Sequence, residues 1–149
     1  MSEKFPVTVS WKGSTQDAAY SRSSQLAKPG SPATVPASSS PANGGDPARW
    51  NPEDLLAAAM AQCHMLTFLA LATKVRLTVT SYEGASEAAM ETVDRLTRVA
   101  TITLKPTITV APGTSHDKVR EMFDKAHKYC VIANSYNGEV ILEPTVVDA

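Results

Sequence analysis

The plainest pattern in the chain is a run without charge. From Leu55 to Ala72 no residue is charged, and the run opens on Asn51-Pro52-Glu53-Asp54. Those four residues spell a helix start. Asn51 can accept from the free N–H groups of a first turn. Pro52 suits the first helical position, where no N–H is needed. Glu53 and Asp54 place negative charge at the positive end of the helix dipole. The pattern predicts a long central helix, covered on most of its sides. Its length invites comparison with a membrane span of about 20 apolar residues. Abundant alanine, with Gln62, His64 and Thr67, favours a core helix of a soluble domain instead.

The flanking segments alternate at the period of strands. Val7, Val9 and Trp11 against Thr8 and Ser10 predict a strand over 6–11. Gly13-Ser14 can turn the chain, and 18–23 can pair back as a second strand, with Tyr20 and Arg22 on one face. Residues 24–48 hold five of the ten prolines together with Asn43-Gly44-Gly45, which predicts a long loop with a short strand near Thr34-Val35. Loops of this length are often functional. This one ends at Arg49-Trp50.

Beyond the helix, Leu77, Val79 and Tyr82 lead a third strand to about Met90. From Leu96 to Val110 the alternation is cleanest, with Leu96, Ala100, Ile102, Leu104, Ile108 and Val110 on one face. Arg98 and Pro106 interrupt that face, and Pro106 suggests an edge or a bulge. Thr114 with Asp117 resembles a capping box for a second helix. Val119, Met122, Phe123, Ala126, Tyr129 and Cys130 then fall on one stripe, with Cys130 ending the buried face. A turn over 134–138 and a last strand over 139–147 complete an α+β order.

Length and charge narrow the field. The 149 residues suit one domain, 1–149, with a sizeable core. With 14 basic and 15 acidic residues, nothing points to nucleic acid or an acidic membrane. The segment Met1–Pro6 has no apolar signal core, so a cytoplasmic protein is expected. In that compartment two cysteines are more often reactive, metal-binding or buried than joined in a structural disulfide.

Cys63 and Cys130 lie at core-facing positions of the two predicted helices. A free cysteine is also an ordinary small core residue. If the helices pack, the two sulfurs can come within bonding reach. A thiol needs a positive neighbour to become a nucleophilic thiolate, and Arg22 and Arg49 are the candidates. Glu53 serves the helix dipole and lies ten residues before Cys63, about 15 Å along the axis. A contact between them needs a bridging arginine or a second chain across a two-fold axis. Zinc is a further reading, because Cys63-His64 and His127-x-x-Cys130 supply four possible ligands. Adjacent helical residues point about 100° apart, however, and the usual CxxC spacing is absent.

Taken together, Arg49-Trp50-Asn51-Pro52-Glu53-Asp54-Leu55-Leu56, Cys63-His64-Met65-Leu66 and His127-x-x-Cys130-x-Ile132-Ala133-Asn134-Ser135 resemble the OsmC/Ohr family of thiol-dependent hydroperoxidases. The likeness covers essentially the whole chain. It implies an OsmC-like fold, with antiparallel sheets around a long buried helix and a second helix, in an intertwined homodimer with the active site at the subunit interface. It implies no cofactor. Cys63 then matches the peroxidatic cysteine and Cys130 the resolving cysteine. Glu53 matches the acid that orients an active-site arginine, which is Arg22 or Arg49 here. The implied partners are an organic hydroperoxide and a dithiol reductant, a lipoyl protein or a small thiol. The chain lacks the Gly-Gly-Arg segment of the Ohr branch and carries Val131 where many members have proline. An apolar wall of Met60, Met65, Leu66 and Phe68 is expected to favour organic hydroperoxides over hydrogen peroxide. The alternative is a non-catalytic dimeric binding protein of the same fold.

Overall fold

The structure, a computed structural model, describes residues 2–149. They divide into two compact units, one ending at Leu55 and one spanning Leu56–Ala149.

The first unit is built on three short antiparallel strands, β1 (Thr8–Ser10), β2 (Ser24–Ala27) and β3 (Val35–Ala37), in that order across the sheet. The expected second strand over 18–23 does not form. Short polar side chains fold that stretch on itself: Tyr20 N–H donates to Asp17 O at 3.1 Å and Ala19 N–H to Asp17 Oδ1 at 2.9 Å. Such local bonds compete with a ladder. The strand begins at Ser24 instead, inside the segment expected to be loop. The rest of that segment is pinned as well. Ser38 N–H donates to Trp50 O at 2.9 Å, Trp50 N–H donates to Pro36 O at 3.1 Å, and Ser38 Oγ accepts from Asp46 N–H at 3.1 Å.

Helix α1 (Pro52–Lys74) starts in the first unit and continues into the second. Its cap is reciprocal. Asn51 Oδ1 accepts from Asp54 N–H at 2.8 Å, and Asp54 Oδ2 accepts from Asn51 N–H at 3.1 Å. At the other end Arg76 adopts φ 58°, and Leu77 N–H returns to Ala72 O at 2.9 Å, a Schellman closure.

In the second unit β4 (Val79–Val93) and β5 (Leu96–Val110) form a long antiparallel hairpin. Asp94 and Arg95 turn it, both with positive φ. Helix α2 (His116–Tyr129) and the short helix α3 (Val131–Ser135) follow, and then β6 (Glu139–Leu142) and β7 (Thr145–Asp148). Both last strands run parallel to β5, which makes this sheet mixed rather than antiparallel. The single strand expected over 139–147 is broken at Pro144, which has no N–H to give a ladder. Pro106 is fully buried on the central strand rather than at an edge. It lies in the gap between the β6 pairings, which end at Leu104, and the β7 pairings, which start at Thr107.

Two helix boundaries differ from expectation. The cap of α2 is Ser115, whose hydroxyl accepts from Lys118 N–H, and not Thr114. Ser115 has the extended backbone that a cap requires. The stretch expected to turn over 134–138 is partly α3.

The core gathers Met60, Phe68 and Ala72 of α1, Ile102, Leu104, Ile108 and Val110 of β5, Val119, Met122, Phe123 and Ala126 of α2, and Val146 of β7. Phe68 meets Phe123 edge-on at 5.9 Å. Each such large side chain contributes roughly 1.5–3 kcal/mol by leaving water. Helix α1 is long and apolar enough to cross a membrane, yet Met60, Phe68 and Ala72 are core residues. It is not covered on most sides. Ala57, Met60, His64, Phe68 and Ala72 form one buried stripe, and Leu66 on another face is 54% exposed.

Candidate active site

Cys63 stands at mid-length of α1, half-buried beside the core stripe, and Cys130 is fully buried. Both thiols are free. Cys130 does not end a helix stripe as expected. It is the single extended residue between α2 and α3, with φ −73° and ψ 113°, closing the first helix and capping the second. Its sulfur accepts from Ala133 N–H at 3.4 Å. Tyr129, assigned to the same buried stripe by spacing, is exposed.

This hinge sets the two thiols close enough for each to shift the ionisation of the other. Their environments then separate them. Burial pushes the Cys63 thiol up. Hydrogen bonds from the Ile132 amide, the Cys130 thiol, the Val131 amide and the Thr67 hydroxyl together outweigh it, so its pKa falls below the ordinary thiol value. Cys130 is pushed up to about 11, chiefly by burial and further by Cys63, despite the Ala133 amide. Cys63 is thus the thiol eased toward ionisation and Cys130 the one held protonated, and Leu66, one turn along α1 from Cys63, is exposed.

Sequence reasoning found both cysteines and missed the groups that act on Cys63. Thr67 was legible, because it lies four residues on along the same helix face. Its hydroxyl also donates to Cys63 O at 2.8 Å. The amides of Val131 and Ile132 carry no signal in the residue types.

Glu53, Arg22 and Arg49 belong to the first unit. Glu53 sits in the first turn of α1. Arg22 precedes β2, donates to Tyr20 O and lies 4.0 Å over the Tyr20 ring. Arg49 donates to Ser24 O at 3.1 Å and approaches Asp46 at 3.8 Å.

The expected apolar wall is not one surface. Met60 and Phe68 point into the core, and Met65 is on the side of α1 away from Cys63. At 100° per residue the positions beside Cys63 are Ala59, Met60, Leu66, Thr67 and Ala70, of which Met60 is buried and Leu66 exposed. His64 is wholly buried against Phe123, with ring centroids 4.3 Å apart, and neither ring nitrogen has a hydrogen-bond partner. Burial, aided by His127, lowers its pKa to about 4, so it is neutral in the fold. Among the described residues no three His, Cys, Asp or Glu side chains converge as a metal site.

An α+β unit in which a mid-helix cysteine meets a second one at a helix hinge defines a class of thiol protein, and the comparisons place it. A profile of the OsmC-like protein family matches residues 44–144, and the chain belongs to that family. An OsmC-like protein of unknown function from Vibrio cholerae is 31% identical, with 96% of this chain and 99% of that one covered and a TM-score of 0.86. The fold is shared with an organic hydroperoxide resistance protein of Elizabethkingia anophelis, at 15% identity over 100% and 99% of the two chains and a TM-score of 0.73. It is shared too with the organic hydroperoxide resistance protein OhrB of Bacillus subtilis, at 17% identity over 97% and 98% and a TM-score of 0.65. No curated protein matches the chain.

Proposed function

We propose that this chain is a two-cysteine peroxidase that reduces organic hydroperoxides. The observation that carries the reading is the free pair itself: Cys63 eased toward its thiolate, Cys130 held protonated beside it. The Cys63 thiolate attacks the terminal peroxide oxygen. The O–O bond breaks, the alkoxide takes a proton and leaves as alcohol, and Cys63 becomes a sulfenic acid. The Cys130 sulfur then displaces water from that sulfenic acid, giving a Cys63–Cys130 disulfide. A dithiol, lipoyl or small, restores both thiols by exchange.

The same reading assigns the cation beside the peroxide to Arg22 or Arg49, oriented by Glu53, in a cytoplasmic homodimer. Separate Arg22→Met and Arg49→Met variants distinguish them, since only one should lose turnover. The exposed Leu66 beside Cys63 supports a preference for cumene hydroperoxide over hydrogen peroxide, and equal rates would count against it.

The deciding experiment is intact mass after slightly less than one equivalent of cumene hydroperoxide is added to reduced protein. A loss of about two daltons, mapped to a Cys63–Cys130 link, supports the mechanism. An unchanged mass with peroxide left unconsumed removes it.

A further inference from the structure

The first unit holds a cavity of about 320 Å³ within itself. It lies where the ladder between β1 and β2 ends, at the Ser10–Gln25 pair. Trp11, Lys12 and Arg49 line it, together with Ser10, Ser23 and Ser24. Small-molecule sites run from roughly 300 Å³ upward, so this one suits a small ligand. No Asp or Glu is among the lining residues.

Its cationic and apolar walls are set by separate contacts. Arg49 Nη1 donates to Ser24 O at 3.1 Å, which fixes a guanidinium fork with further donors to spare. Asp46 stands 3.8 Å from Arg49 Nε, beyond hydrogen-bond length, and offsets only part of the charge. Lys12 adds a second cation. Trp11 spends its one donor on Ser21 O, at 2.7 Å, and meets Tyr20 edge-on at 5.8 Å. What it offers a ligand is therefore apolar ring. A Cβ at Gly13 would stand 2.7 Å from Trp11 Cζ2, so that glycine leaves the indole its place. We propose that this cavity binds a small organic carboxylate, its charge held by Arg49 and Lys12 and its apolar body against Trp11. A carboxylate matches the guanidinium fork with two parallel bonds. Its single charge suits two cations of which one is partly offset, whereas a phosphate carries nearly two. Binding of this kind needs no thiol and stands apart from the chemistry at Cys63.

Trp11 can report the ligand itself. The chain has two tryptophans, and Trp50→Phe leaves Trp11 as the only indole. The measurement is Trp11 emission in that full-length, reduced protein, titrated with sodium benzoate. A saturating change with a Kd in the millimolar range is expected. Benzamide, neutral with the same ring, should bind about tenfold more weakly. Adding Lys12→Met, at an exposed position, should weaken benzoate by a similar factor. Adding Lys28→Met, which removes a lysine outside the cavity, should leave benzoate binding unchanged. Arg49 is left intact because it is also a candidate for the cation beside the peroxide.

A change that never saturates would overturn the proposal, as would equal affinity for benzamide. Equal loss in the Lys12 and Lys28 variants, or no loss in either, would overturn it as well, because the charge would then not be read at this cavity. Inorganic phosphate binding as tightly as benzoate would remove the organic ligand, since phosphate has no body to set against Trp11. The titration contains no peroxide, so this test and the peroxide test can fail separately.

Discussion

The Cys130 side chain lies beside the Cys63 sulfur, and each moves the ionisation of the other in the opposite direction. Cys130 helps bring Cys63 below the ordinary thiol value, while Cys130 is held at about 11. At neutral pH an alkylating agent should therefore modify Cys63 first and leave Cys130 largely untouched. Peptide mass mapping over a short time course reads this directly. Equal labelling of the two thiols would contradict the division.

Replacing Cys130 separates donation from resolution. Cys130→Ala removes the donor and should slow Cys63 alkylation near neutrality by up to about tenfold. Cys130→Ser keeps a hydroxyl donor and a cap for Ala133 N–H, and should stay closer to the parent. Both variants should stop at a Cys63 sulfenic acid after peroxide, trapped as a dimedone adduct.

His64 makes the fold acid-sensitive. Its imidazole titrates near 6.5 when free and at about 4 in the buried site. Between those values the unfolded chain binds a proton that the folded chain refuses, so stability falls as pH drops through that window and then levels off. The loss is roughly 3 kcal/mol. Denaturant titrations at neutral pH and at the acid end of the window should show it. His64→Leu should flatten the response, and an undiminished slope in that variant would assign the effect elsewhere.

Arg76 closes α1 in the left-handed region, at φ 58°, where a Cβ is costly. Arg76→Gly should stabilise the chain by about 1 kcal/mol, or roughly 2–4 °C in Tm for a chain of this size. An unchanged Tm would mean that the arginine side chain offsets its own backbone cost.

Much of this architecture can be read from residue order because it is locally encoded. The Asn51–Asp54 cap, the uncharged run of α1 and the alternation of β5 each depend on neighbours within a few residues. The structure reproduces β5 at the expected bounds, Leu96–Val110. Cys63 is legible from helical spacing as a position beside the core stripe of α1; Cys130 is buried as expected, but at the break between two helices and not on a helix stripe.

What tertiary structure decided lies where the chain meets distant parts of itself. The parallel seats of β6 and β7 on β5 are non-local, and no local alternation specifies strand direction. The break at Cys130 converts the expected end of one helix into a cap for another, and so sets Cys130 beside a cysteine on α1. Cys63 and Cys130 are the same residue type, and nothing in their immediate sequence says which will ionise. That follows from burial and from the direction of hydrogen bonds between segments far apart in the chain, quantities that exist only once the chain has folded.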